Sequence, residues 1–246
     1  MTNAVVDFWA DGIVHARQRS ASFAPTGPKP TELADAYYIQ SAVAAQMGAV
    51  GGFKTARKGD APPIMAPIFA ADIVPSGADV AVVGLLGIEL EVGFEIIGDC
   101  PANMASLGVS DLAQLLRPVA VIELVDTRVT GPSADDQIVK LADNQINAGL
   151  VVGAFAPDWD GSDFGTLQAR MQAGDDVILD GQATVPGGSA LETFAALNRQ
   201  IGDHCGGFKR GQIVITGSLH PLVYYPAGTK VAGWIEGIGT VSVNLL

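Results

Sequence analysis

Two glutamates, Glu89 and Glu91, stand two positions apart in "GIELEVGFEI" (residues 87 to 96), a stretch that otherwise reads as an apolar strand. Side chains alternate across extended chain, so the two carboxylates share one face at about 7 Å while Ile88, Leu90 and Val92 take the other. A third, Glu123, interrupts the next apolar run, "VAVIELVDTRV". If both runs join one sheet, the three carboxylates can converge. Two anions ~5 Å apart at an effective dielectric of ~20 repel by about 3 kcal/mol, so such a trio needs a compensating cation or a raised pKa. Three hard oxygen donors without a histidine suit Mg²⁺ or Mn²⁺ better than zinc or copper. An exposed strand with its glutamates in water meets the same pattern, and the residues by themselves leave both readings open.

Lys54, in "GGFKTA", follows a helix stop, where glycines let backbone approach a ligand closely. Arg57 and Lys58 make this segment locally basic, as a complement to a substrate carboxylate or as balance to neighbours. "GGFKTARKG" lacks the GxxxxGKS/T spacing of a phosphate loop, and no GxGxxG follows a strand to open a helix, so no motif supports nucleotide binding. His15, His204 and His220 are scattered and no GxSxG elbow marks a serine nucleophile; the histidines read as ordinary hydrogen-bonding residues. Cys100 and Cys205 lack metal or disulfide spacing and read as plain thiols.

The chain that must position these groups has 246 residues, 48% hydrophobic and 16% charged, enough for a sizeable core. Its formal charge of −12, with no basic cluster to offset it, excludes nucleic acid as an expected partner. The N-terminus has no signal-peptide pattern and no apolar run reaches a membrane span, so a cytoplasmic protein is expected. Residues 3 to 19 read as an amphipathic helix, "SASFAPTGPKP" as a loop, and a second helix is expected from Thr31 to the glycines at 48, 51 and 52. From Phe53 onward short β-branched runs separated by Gly, Pro and Asp predict a β-rich body. Helices are expected at "SDLAQLLR", capped by Ser110, and at "SALETFAALNRQIG", capped by Ser189 and stopped by Gly202. The division expected is residues 1–52 as a helical region and 53–246 as the β-rich catalytic domain. "FAPTGPKP" and residues 57 to 67 have the Gly and Pro content of a movable cover.

Seven segments in order, "AYYIQ", "GGFKTA", "IELEVGFEI", "IELVDTRV", "ADNQINAGLVVG", "GQIVITGSL" and "WIEGIGTVSV", resemble the fumarylacetoacetate hydrolase superfamily, in its 2-keto-4-pentenoate hydratase and 4-oxalocrotonate decarboxylase branch. The resemblance implies an α+β fold, a mixed β-roll with a small N-terminal helical region. It implies a Mg²⁺ or Mn²⁺ site on Glu89, Glu91 and Glu123, with Lys54 as the active-site lysine and Phe53, Leu124, Thr216 and Ser218 lining the substrate. The implied partner is a small 2-oxo or 2-hydroxydienoic acid, in a homo-oligomer to which the apolar C-terminal "VSVNLL" lends a packing surface. Water addition to a 2-hydroxy-2,4-dienoate is the expected reaction, with decarboxylation of a 2-oxo acid as the runner-up, hydrolytic carbon–carbon cleavage third, and a non-catalytic acid binder as an alternative of another class.

Two departures bear on that choice. Hydratases of this group carry a Pro-Asp-Phe-Gly-like segment after the lysine, whereas this chain reads "APPIMAPIFAADIV", with Ile64 or Met65 where the acid belongs and Asp60 and Asp72 out of register. The family's Ala-Asp-Asn-Ala-Ser stretch becomes "ADNQIN", with Ile146 where a small hydroxyl is expected, and with Asp143 and Asn144 expected to hold loops together.

Overall fold

The computed structural model describes residues 2–57 and 62–246. Two helices, α1 (Asn3–Arg19) and α2 (Leu33–Met47), precede strands β1 (Val50–Ala56), β2 (Ile64–Phe69), β3 (Ile73–Pro75), β4 (Ala78–Val80) and the long β5 (Leu85–Ile96). Then come α3 (Val109–Ala113), β6 (Leu116–Val125), α4 (Gln137–Ala142), β7 (Asn147–Phe155), β8 (Thr166–Ala173) and β9 (Asp176–Thr184). Helix α5 (Ala190–Ile201) leads into β10 (Ile213–Ser218), β11 (Val223–Pro226), β12 (Lys230–Ile235) and β13 (Gly239–Leu245). No helix among the described residues is long and apolar enough to cross a membrane.

The strands form two curled mixed sheets, as in fumarylacetoacetate hydrolase-like folds. The larger runs β2-β1-β10-β5-β6-β7-β3, with β11 also on β5; the smaller runs β4-β13-β12-β8-β9. Alternation decides what each face of the large sheet meets. The even positions of β5 and β6 (Ile88, Leu90, Val92, Phe94, Ala120, Ile122, Leu124) enter the main core with Val231, Ile235, Val241 and Val243 of the small sheet and Phe194 of α5. Their odd positions share a separate face with a small apolar cluster of Ile68, Val119, Val121, Leu150, Ile213 and Ile215. A third cluster joins α1, α2 and α4 to Phe69 and Val129.

Local chemistry shifts several expected boundaries. Helix α2 begins after Glu32, not Thr31, because Glu32 and Asp35 form a reciprocal capping box. Helix α3 is capped by Gly108 rather than Ser110. Ser189 does cap α5, accepting from the Glu192 amide at 2.9 Å. Helix α4, a single turn and a half capped by Asp136, has no counterpart in the sequence reading. "FAPTGPKP" is pinned rather than poised to move: the amide of Phe23 donates to Arg128 O at 2.7 Å, its ring packs edge-on to Trp9, and Trp9 Nε1 donates to Pro28 O. The end of the other expected cover, from Ile64 to Pro67, is part of strand β2, whereas Lys58 and Asp60 lie outside the described residues. Val241, Val243 and Leu245 of "VSVNLL" fill this chain's own core, and Leu246 is left exposed.

The sheets come close at Gly153 of β7, where an added Cβ would lie 2.5 Å from Thr240 O of the small sheet and 2.7 Å from Ala120 O of neighbouring β6, both backbone atoms. Gly153→Ala should therefore force the sheets apart and cost about 1–3 kcal/mol, a fall of several degrees in Tm that thermal unfolding measures.

Candidate metal centre

Strands β5 and β6 are antiparallel with Glu89 directly opposite Glu123 and Glu91 opposite Val121, so all three glutamates project from the odd face. One donor oxygen from each lies within 4.8 Å of the others. Glu123 is 0% and Glu91 2% exposed, which removes the solvent-washed strand as a reading of this pair. Burying carboxylates without counter-charge costs several kcal/mol per ion, so each one has partners.

Glu91 accepts the Gly217 amide at 2.6 Å, at the end of β10 where Gly217 takes φ 108° and packs on Pro186. Glu89 has Ser218 and Glu123 within hydrogen-bonding reach. Glu123 receives Lys54 Nζ at 2.6 Å on Oε1 and 2.8 Å on Oε2, together with Asn147 Nδ2 at 2.8 Å on Oε1. Lys54 reaches it from β1, two strands beyond β5 through β10, and donates also to Gln145 O at 3.2 Å.

Three carboxylates against one ammonium leave the centre short of positive charge. Burial first, and the Glu123 charge second, push the Glu89 carboxyl up to about 7, with Lys54 and Ser218 opposing. The same two causes, joined by Glu89 itself, push Glu91 well above the usual carboxylate range.

The residues that shape this centre from behind were not singled out as such in the sequence. Asn144, Gln145 and Ile146 take φ of 51°, 52° and 54°, three consecutive left-handed residues, one of them β-branched. Each such residue costs on the order of 1–3 kcal/mol. The turn they form aims the Gln145 carbonyl at Lys54 and starts β7 so that the Asn147 amide meets Glu123. Asp143, fully buried before the turn, receives Arg128 through its Nε at 2.7 Å and its backbone amide at 2.8 Å. After the turn, Arg17 of α1 donates from Nη2 to Asn147 O at 2.5 Å.

The chain gives no match to models of known protein families. It is 24% identical over 228 residues to 4-oxalocrotonate decarboxylase from Pseudomonas putida, covering 87% of this chain and 85% of the relative. It is 30% identical over 126 residues to 2-hydroxyhexa-2,4-dienoate hydratase from Comamonas testosteroni, covering 50% of this chain and 46% of the relative. The solved structure of 4-oxalocrotonate decarboxylase from Pseudomonas putida G7, complexed with magnesium and adipate, superposes with a TM-score of 0.82 at 20% identity, over 100% of this chain and 99% of that one. In sequence and fold the chain is thus similar to members of the fumarylacetoacetate hydrolase superfamily.

Of the residues that resemblance to this superfamily singles out, Glu89, Glu91, Glu123, Lys54 and Ser218 come together, and three do not join them. Phe53 is adjacent to Lys54 on β1 and so points to the opposite face, where it packs edge-on to Phe208 in the main core. Leu124 is separated from Glu123 by the same one-residue parity and joins the same core. Thr216 is fully buried and its hydroxyl donates to Val92 O at 2.9 Å, leaving no free group for a ligand. Asp72, a possible substitute acid in the superfamily reading, is committed to Arg17 at 3.2 Å. His220 is a structural residue: Nδ1 lies 2.7 Å from Pro221 O and Nε2 accepts the Leu90 amide at 3.1 Å, an arrangement that suits the neutral ring. His15 is exposed on α1.

A group whose folded pKa is raised adds stability below its unfolded value and loses it as pH climbs through the folded value. For Glu89 that window runs from about 4.5 to about 7. Metal-free protein should therefore lose several degrees of Tm between pH 5 and pH 8, and Mg²⁺ or Mn²⁺ should raise Tm more at pH 8 than at pH 5. A metal-free Tm that rises over this range, or a divalent effect confined to pH 5, would contradict the charge balance described.

Proposed function

We propose that the chain is a divalent-cation-dependent lyase acting on a short 2-oxo or 2-hydroxydienoic acid, with loss of carbon dioxide from a 2-oxo dioic acid favoured over addition of water to a dienoate. The observation that carries the lyase reading is the convergence of half-buried Glu89 with buried Glu91 and Glu123 beside the Lys54 ammonium. An all-oxygen donor set with an excess of negative charge fits a hard divalent ion, so these three glutamates would hold Mg²⁺ or Mn²⁺. Similarity along most of the chain to a decarboxylase, and a like fold complexed with magnesium and a dicarboxylate, support the same assignment.

When bound, such an ion supplies Lewis-acid polarisation of the substrate's 2-oxo group. Lys54 Nζ is held by both Glu123 oxygens and by Gln145 O, which fixes its ammonium at the centre as a donor that can turn to an oxygen gaining charge. As the bond to the departing carboxylate breaks, the electron pair moves through the conjugated chain to that oxygen and carbon dioxide leaves. Lys54 stabilises the resulting charge by hydrogen bonding or by giving up the proton. Gly217 N–H fixes Glu91, and Ser218, whose hydroxyl donates to His220 O at 2.6 Å and accepts the His220 amide at 3.4 Å, stands beside Glu89.

Water addition is the second reading, favoured by the similarity over half the chain to a hydratase. It needs an acid to deliver a proton to the carbon chain. Ile64 or Met65, at the start of β2, stands where that acid belongs, and the nearby Asp72 is tied to Arg17.

The test is to incubate the protein and Mg²⁺ with 4-oxalocrotonate and, separately, with 2-hydroxypenta-2,4-dienoate, following absorbance and product mass. Decarboxylation abolished by a chelator is expected, and Lys54→Ala should lower kcat at least about 100-fold without weakening Mn²⁺ binding. A product heavier by one water makes hydration the reaction. Turnover without a divalent ion, or full turnover of Lys54→Ala, overturns the proposal, and acid binding without turnover of either compound leaves only a binder.

A further inference from the structure

We propose that Arg17, on the first helix and 130 positions before Asn147, is a positioning residue for the metal centre, acting through the bonds Arg17–Asn147–Glu123. The inference rests on the metal-binding reading above and extends it to a residue that touches neither metal nor substrate.

The left-handed turn at residues 144–146 is unfavourable by itself and persists only if both ends are restrained. Its first end is restrained by Arg128, whose Nε, backbone amide and Nη2 all engage Asp143 at 2.7–2.8 Å. Its second end is restrained by Arg17 Nη2 on Asn147 O at 2.5 Å. The Asn147 side chain then delivers Nδ2 to Glu123 Oε1 at 2.8 Å and to Gly149 O at 3.2 Å. Glu123 Oε1 is also the oxygen that Lys54 approaches most closely, so releasing the Asn147 backbone loosens a metal ligand and the lysine together.

The ion pair with Asp72 at 3.2 Å engages Arg17 Nη1 and leaves Nη2 for Asn147 O. The Arg17 side chain is 6% exposed, its guanidinium lies 5.1 Å from the Phe69 ring centroid, and its Nε has no partner among the described residues. Burial pulls the guanidinium down to about 9, still protonated at neutral pH. Anchoring α1 alone would be served more cheaply by an apolar residue.

Charge gives the decisive sign. Arg17 is a cation, so by Coulomb's law alone its removal should tighten binding of a divalent cation nearby. Loss of positioning does the reverse: removing an outer-shell partner typically weakens metal affinity 10–100-fold.

The experiment is Mn²⁺ titration of the whole protein, well below Tm, with free Mn²⁺ read by electron paramagnetic resonance. Arg17→Met, which keeps the apolar stem, should weaken Mn²⁺ binding at least about 10-fold, and Arg17→Lys, with one compact donor cluster for two acceptors, should fall between it and wild type. Asn147→Ala should weaken binding similarly, and the double variant Arg17→Met/Asn147→Ala should lose no more than the worse single one. Gly153→Ala, destabilised elsewhere, should retain wild-type affinity. If Arg17→Met does not fold, Arg17→Lys decides alone. Affinity within twofold of wild type or tighter in the arginine variants, or strict additivity with Asn147→Ala, overturns the positioning role. Failure of wild type itself to bind Mn²⁺ overturns the metal centre instead.

Discussion

Gathering Glu89, Glu91 and Glu123 on one face of a curled sheet sets three carboxylates against a single ammonium, and most of the surrounding architecture answers that imbalance. Repulsion of about 3 kcal/mol per pair at ~5 Å would splay the side chains on an isolated hairpin. Here the antiparallel register places Glu89 opposite Glu123, and apolar neighbours at Val119, Val121 and Ile215 deny them water. Hydrogen bonds from Gly217, Asn147 and Lys54 then hold them in place without neutralising them. A site that is preorganised and short of positive charge binds a divalent ion with little rearrangement, which is what distinguishes it from a structural ion pair.

The left-handed turn at 144–146 shows where that preorganisation is stored. A relaxed connection between α4 and β7 would place neither the Gln145 carbonyl nor the Asn147 amide at the centre. The strain of three non-glycine residues in this region is offset by the buried Arg128–Asp143 network on one side and by Arg17 on the other. On the Arg17 side the path to Glu123 is only two hydrogen bonds long, Arg17 to Asn147 O at 2.5 Å and Asn147 Nδ2 to Glu123 at 2.8 Å.

How much of this was legible in the sequence depends on how local each cause is. Period-two alternation made the glutamates readable as a group, because parity on a strand is a local property. The same alternation, applied strictly, excludes Phe53 and Leu124, each of which is one position from a site residue and therefore on the other face. Thr216 shows a different limit: its hydroxyl has a backbone acceptor, Val92 O, that only the pairing of distant strands reveals. Nothing in "NQIN" announces a left-handed turn, since Gln and Ile disfavour it and only tertiary restraint enforces it. Capping at Ser189 was readable from Ser-x-x-Glu, whereas Thr31 yielded to the better box formed by Glu32 and Asp35.

The helical layer cannot be treated as an accessory to a self-sufficient β-rich body. Gln40 of α2 donates to Met65 O and Leu141 O, tying β2 to α4, and Arg17 of α1 reaches the first residue of β7. Each of these contacts ends on a backbone carbonyl, while the odd face of the sheet is occupied by the glutamates and their apolar cluster and the even face by the main core. A donor able to restrain the outer end of the strained turn must therefore come from a layer packed beyond it. Helices α1, α2 and α4 provide that layer, with their own core of Trp9, Ile13, Ile39 and Val139 giving Arg17 a rigid base from which to act.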